Sequence, residues 1–238
     1  MRKREYTFYR QRHPFLVKLR RGFKYLFLLF VGYLLVHTFL VQTYRIDSIA
    51  MKPAYQPGDR VVASPLPVGV TVPFSDLRLP GLTELRRGDV VILIPPYAEE
   101  GSFFQKVGQR IVRLFSFFGI GNQKVEAEWI QPLVVKRVVG LPGDTIRIRN
   151  LEILVKPKDT EDFVSEFSLA FTPYTITKSP IPREAEDLYR MEPEEIRLKE
   201  DEYFVASDHR AVALDSRVWG AVRKDQIRSK VLFVYWPF

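Results

Sequence analysis

Lys136 is the residue whose surroundings first raise a chemical question. It lies in Leu133-Val134-Val135-Lys136-Arg137-Val138-Val139, an apolar run of strand length closed by Gly140-Leu141-Pro142-Gly143-Asp144. On a pleated strand Val134, Lys136 and Val138 share one face, and Val135, Arg137 and Val139 share the other. Each apolar face therefore carries a cation. A charged amine is costly to desolvate, so such a lysine snorkels to water, pairs with an acid, or becomes a neutral amine that can act as a base. From these residues alone a snorkelling or paired lysine is the plainer reading.

Two other stretches hold residue types that do chemistry. Ser207-Asp208-His209 has the members of a catalytic triad. Three consecutive residues point in different directions and cannot line up as a relay, so a triad is excluded there. The second stretch is Asp47-Ser48-Ile49-Ala50-Met51-Lys52-Pro53, just before the turn Pro57-Gly58-Asp59. Read as a strand, it puts Ser48 and Ala50 on one face, about 7 Å apart along the chain. The chain has no cysteine, which excludes disulfides and thiol chemistry. No metal and no cofactor is expected.

The elements that must position these residues are mostly strands. Residues 60–63, 90–94, 133–139, 145–149, 202–206 and 226–238 read as strands separated by Pro-Gly-Asp or Arg-Gly-Asp turns. This implies a mainly β fold, a partly closed barrel or sheet domain. Two segments interrupt it. In residues 97–128, Phe103, Val107, Ile111, Phe115 and Phe118 recur at helical spacing with Lys106, Arg110 and Arg113 between them. That predicts a basic amphipathic helix, packed on the domain or lying at a membrane surface. Residues 150–200 read as an inserted second lobe of β and loop.

The net charge of +8 sits in a tail. Residues 1–24 hold nine Lys/Arg and one acid, which is the whole excess. A nucleic-acid partner is therefore not expected, since its binder would spread cations over the folded domain. Residues 25–41 are almost unbroken apolar sequence, about 25 Å long as a helix, directly after the basic tail. They predict one uncleaved N-terminal transmembrane helix with the tail (1–24) in the cytoplasm. Residues 44–238 would then lie on the periplasmic or extracellular side of the cell membrane. No small-x-small cleavage site follows the run.

These blocks together resemble bacterial signal peptidase I, a membrane-bound serine endopeptidase that removes signal peptides. DSIAMKP with PGDRV resembles the nucleophile block, RRGDVVIL the core strand, VVKRVVGLPGD the lysine block, and SDHRAVALDSRVWG the final block. The resemblance implies Ser/Lys-dyad chemistry, with Lys136 as the general base that activates a serine. It places Ala50 at the nucleophile position, Ser48 at the oxyanion-hole position, and Ala213 where a serine orients the lysine. Ile46, Asp47, Ile49 and Met51 would bind substrate. Arg137 would pair with Asp208 or Asp215, with Arg217 in the same network.

Two hydroxyls of that pattern are thus alanines here, and Ser207 and His209 replace a glycine and an asparagine. Loss of a serine nucleophile costs about 10⁶ in kcat. Ser48 as a substitute nucleophile would need its strand to slide by two residues, against the register set by PGDRV. The expectations are therefore a signal peptidase I by resemblance, with crippled catalysis, or a non-catalytic signal-peptide-binding or regulatory relative. Its partners would be signal peptides of exported preproteins and the lipid bilayer, with the secretion translocon or an active paralogue as further candidates.

Overall fold

In a computed structural model the structure describes residues 14–70, 77–98, 133–149, 152–178, 195–211 and 214–236. The expected amphipathic helix lies almost wholly outside these residues. So do Ala213 and residues 179–194 of the expected lobe.

One helix, α1 (Pro14–Phe39), leads into the strands. In chain order these are β1 (Gln42–Arg45), β2 (Arg60–Ser64), β3 (Val90–Leu93), β4 (Val134–Gly140), β5 (Thr145–Arg149), β6 (Glu152–Lys156), β7 (Val164–Ser165), β8 (Ile196–Arg197), β9 (Glu202–Ala206), β10 (Val222–Arg223) and β11 (Ile227–Trp236). The molecule is mainly β, in two sheets. The larger has the order β1-β2-β11-β3-β4-β9-β10 and the smaller β7-β6-β5-β8. Neighbours pair antiparallel. The second sheet starts earlier in the chain than the lobe read from sequence. The strand 145–149 belongs to it, because its turn at Leu141–Asp144 carries the chain out of the larger sheet.

β4 holds the two sheets together. Val134 and Val138 pack with Val91, Leu93, Tyr203 and Val205 on one face. Val139 packs on the other with Ile146, Ile153, Val155, Phe204 and Ala206, which joins the smaller sheet to the larger. β11 is the longest strand. It serves β2 with one part and β3 with another, and register shifts let it bend between them.

The expected membrane span at 25–41 is not supported by the described helix. Among the described residues no helix is long and apolar enough to cross a membrane. The physical reason lies in the composition of α1. Lys18, Arg20, Arg21 and Lys24 occupy its first half, and the helix ends at Phe39. The part of it free of Lys, Arg, Asp and Glu, 25–39, is about 22 Å long, against a hydrocarbon core of about 30 Å. Leu26, Phe27, Leu28, Leu29 and Phe30 are nevertheless exposed.

Gly140 shows how tightly β4 is held between the sheets. A Cβ there would stand 2.7 Å from Ile146 Cδ1, 2.9 Å from Leu198 Cδ1 and 3.0 Å from Phe204 Cβ. Gly140→Ala is expected to destabilise the fold by about 1–3 kcal/mol through overpacking. A lower denaturant midpoint at unchanged m-value would show it.

Candidate active site

β4 places Lys136 in the middle of the larger sheet, between β3 and β9. Val91 of β3 lies opposite it. On the other side β9 pairs Ala206 with Arg137 and Val205 with Val138. Continuing that register by one residue brings Ser207, just past the end of β9, opposite Lys136. The lysine is completely buried. Its Nζ donates to Ser207 Oγ at 2.8 Å and lies 5.6 Å from the centre of the Trp219 ring.

Sequence reasoning missed this role of Ser207, noting it as a replacement for glycine and as part of a triad that it excluded. The signal that could have found it is the strand register. If 202–206 runs antiparallel beside 134–140 with 206 opposite 137, then 207 falls opposite 136.

Around this pair lies a set of buried ion pairs. Arg137 faces the other way from Lys136 and grips Asp208 with two hydrogen bonds, Nε to Oδ1 at 2.7 Å and Nη2 to Oδ2 at 2.5 Å. It also donates to the Gly88 carbonyl at 2.8 Å. Asp215 caps the helical turn Ser216–Trp219 by accepting from the Arg217 backbone. It accepts from the Arg217 guanidinium at 2.8 Å through both oxygens and from the Ser207 N–H at 2.9 Å. A third pair joins Arg210 to Glu166 at 2.6 Å, with the Tyr174 hydroxyl donating to the same carboxylate oxygen. Burial opposes ionisation of Asp215. The Arg217 guanidinium, with Lys136 and Arg210 beyond it, nevertheless brings its carboxyl down from 3.8 to about 2.

The stretch holding Ala50 is not the strand that alternation suggested. β1 ends at Arg45, and Ile49–Met51 form a 3-10 turn. Ser48 makes the difference. Its Oγ accepts the Ala50 N–H at 3.0 Å and so caps the turn, a local bond that competes with a strand ladder. Ser48 and Ala50 therefore do not share a strand face. Ile46, Ala50 and Met51 are buried, whereas Ile49 is exposed. Asp47 pairs with Arg45 at 3.0 Å, and burial raises its carboxyl above the ordinary value with Arg45 opposing. The Ala50 carbonyl accepts from the His209 N–H at 2.9 Å, which fastens the turn to the segment that carries Ser207 and Asp208. Burial, with Lys52 nearby, pushes the His209 imidazole down, partly offset by a backbone hydrogen bond.

A small pocket of about 30 Å³ lies between this turn and the start of β4, lined among others by Ile46, Asp47, Ser48, Ala50, Met51 and Val135. Ile49 is not among its lining residues. Hydrogen bonds link Lys136 to Ser207, Arg137 to Asp208, and Asp215 to Ser207 and Arg217, and the His209 N–H ties this segment to the Ala50 carbonyl, while Lys136 does not line the pocket beside Ala50. At position 50 the side chain is a methyl group, so the site holds a lysine amine and no hydroxyl at the place the resemblance gives to the nucleophile.

The Asp215 carboxyl supplies a pH test. Its folded-state value lies below the ordinary one, so it contributes stability above pH 4 that is lost as pH falls toward 2. The contribution is about 2 kcal/mol by linkage. Asp215→Asn is expected to lower stability at pH 6 and to flatten the loss between about pH 4 and pH 2, as read from urea melts across that range.

Comparison with known proteins agrees with the motifs. The model of the family described as signal peptidase, peptidase S26, matches residues 19–236. Signal peptidase IB of Staphylococcus aureus is 32% identical over 104 residues, 44% of this chain and 53% of that protein. Signal peptidase I of Pseudomonas aeruginosa is 26% identical over 198 residues, 78% of this chain and 58% of that protein. The chain thus spans little more than half the length of these relatives. A crystal structure of a signal peptidase I from Enterococcus faecalis V583 matches 64% of this chain and 100% of its own, with a TM-score of 0.33 at 21% identity. With the family match running from α1 through β11, this chain belongs to the signal peptidase family, peptidase S26.

Proposed function

We propose that this chain binds the signal-peptide segments of exported preproteins at a membrane surface and does not cleave them. The observation that carries this reading is the methyl group of Ala50 in a site otherwise built around a buried lysine. The family's reaction needs a hydroxyl that Lys136 can deprotonate. Ser48 is not placed to supply it: its Oγ caps the turn that holds Ala50, while the Lys136 amine donates to Ser207. The groove beside residues 46–51 accepts an extended peptide, with Ile46 and Val135 offering apolar contact to small side chains.

The membrane enters through α1. Its exposed Leu and Phe side chains need a cover that water cannot give, and lipid is the cover we assign. The helix is short for a full crossing, so Lys18, Arg20, Arg21 and Lys24 snorkel toward headgroups on the cytoplasmic side. The strand domain then lies on the outer side. Leu232, Phe233 and Trp236 on β11 are each half exposed or more. β11 borders β2, which borders β1, the strand that leaves α1. A membrane-facing side that includes them puts the groove near the bilayer. The translocon or an active peptidase in the same membrane is the natural donor or recipient of the bound segment.

The alternative is a peptidase with residual activity, and one experiment separates the two. Full-length protein in lipid nanodiscs is offered a preprotein carrying a photo-crosslinker in its signal peptide. Crosslinking to the segment 46–51 without cleavage is expected. Ala50→Ser should restore cleavage by several orders of magnitude, since loss of the serine costs about 10⁶. Cleavage by the unmodified chain that disappears in Lys136→Ala would overturn the non-catalytic reading.

A further inference from the structure

Ser207 is a hydroxyl already placed on the lysine. It accepts from Lys136 Nζ at 2.8 Å, and both side chains are wholly buried. Its own position is fixed from two sides. Its N–H donates to Asp215 Oδ2 at 2.9 Å, and that carboxylate is itself gripped by Arg217. The next residue, Asp208, is clamped by Arg137. The hydroxyl therefore sits on a backbone that cannot drift, directly across the sheet from the amine. Such an acceptor restricts where a flexible four-carbon side chain can put its nitrogen.

We infer that Ser207 is the positioning residue for Lys136, taking the place of the hydroxyl absent at 213, so that the missing hydroxyl at 50 is by itself what stops the chemistry. The inference deepens the proposed function and rests on its reading of Lys136 as the latent base. Ser207 is not the nucleophile. It has no exposed surface and is not among the residues that line the groove beside the Ala50 turn.

The sequence of β9 explains why the arrangement forms. Glu202–Ala206 pairs with β4 through an apolar run, and Ala206 lies opposite Arg137. The strand ends there because the Ser207 N–H goes to Asp215 rather than to a neighbouring strand. The Thr177 N–H then takes the Asp208 carbonyl, and the His209 N–H takes the Ala50 carbonyl. One short segment thus ties the lysine's acceptor to the position of the absent nucleophile. A hydroxyl introduced at 50 would be carried by a turn that this segment fastens to the backbone holding Ser207.

The test uses the full chain in lipid nanodiscs with a preprotein substrate, comparing Ala50→Ser alone and with second changes. Ala50→Ser is expected to cleave. Adding Ser207→Gly should lower kcat about tenfold or more at nearly unchanged KM, the effect of losing one hydrogen bond to an ionisable group. Adding Ser207→Thr, which keeps a hydroxyl, should retain most of the rate, and adding Ala213→Ser should change it by less than about threefold. Peptide crosslinking to each variant confirms that its groove is folded.

Three results would overturn the inference. One is an Ala50→Ser/Ser207→Gly protein as fast as Ala50→Ser. Another is an Ala50→Ser protein that binds the peptide and leaves it intact, whether or not Ala213→Ser then rescues it. The third is cleavage by the unmodified chain that Ser207→Ala abolishes and Ser207→Thr restores at unchanged KM while Ala50→Ser adds nothing, because Ser207 would then be the nucleophile. Cleavage by the unmodified chain that Ser207→Gly merely slows, with Ser207→Thr restoring it, overturns the non-catalytic reading and supports the positioning role.

Discussion

An amine buried in the middle of an apolar sheet dictates the rest of this site. Lys136 has Val91 opposite it on one neighbouring strand and Val134 and Val138 on its own face. None of these can accept a hydrogen bond. A polar acceptor is available across β9 because that strand stops at Ala206 and the chain turns to present Ser207. Each later contact answers the one before it. The Ser207 N–H, taken out of the ladder, needs an acceptor and finds Asp215. Asp215, completely buried, needs a cation and finds Arg217, whose Nη2 also donates to the Arg210 carbonyl at 2.9 Å. The pairs offset much of the desolvation, while Arg210 Nε and Nη1 and Glu166 Oε1 stay buried without a hydrogen-bond partner among the described residues.

That logic also positions the turn at Ala50. Arg137 emerges on the opposite face of β4 and holds Asp208, so one strand grips the last block from both of its faces. The next residue, His209, donates its N–H to the Ala50 carbonyl, and the Thr177 hydroxyl reaches the Lys52 carbonyl at 3.4 Å. β4, the 207–217 block and the 48–51 turn therefore behave as one unit. Breaking a buried pair such as Arg137–Asp208 strands a charge at about 3–5 kcal/mol. A peptide laid in the groove beside Ala50 thus rests on a wall stiffened by ion pairs several residues away.

Much of this was legible in the letters, and the gaps have physical causes. The strands at 60–64, 90–93, 134–140 and 202–206 follow from alternation and from Gly-Asp turns, and the odd cations of β4 identify themselves by their apolar neighbours. Ser48 and Ala50 deceived. Residues 46–50 alternate as a strand would, yet a serine side chain can offer the backbone a hydrogen bond that a strand reading ignores, and the Ala50 N–H takes it. Ser207 was invisible for a different reason. Its role depends on pairing register between segments 71 residues apart, and single-strand periodicity carries no register. Glu166 likewise lies in an unremarkable stretch, and only the tertiary fold brings it to the buried Arg210.

Binding and cleavage place different demands on this geometry. A buried lysine is a liability to folding unless something is gained from it, since an apolar side chain of similar volume in place of a buried charged group is often neutral or stabilising, by about 1–4 kcal/mol. Here the amine is seated and partnered by Ser207, which is itself held by a carboxylate, and position 50 carries a methyl group. The Ser48 hydroxyl, by accepting the Ala50 N–H, leaves its own proton free to donate. A peptide carbonyl entering the groove can use that donor whether or not a nucleophile stands beside it. On the proposed reading, recognition of an extended segment would draw on backbone hydrogen bonds and shallow apolar contacts spread over residues 46–51 and the start of β4. Hydrolysis would draw on a single oxygen atom at position 50. A methyl group at that position would end the second demand and leave the first almost untouched, which is the sense of the proposed binding role.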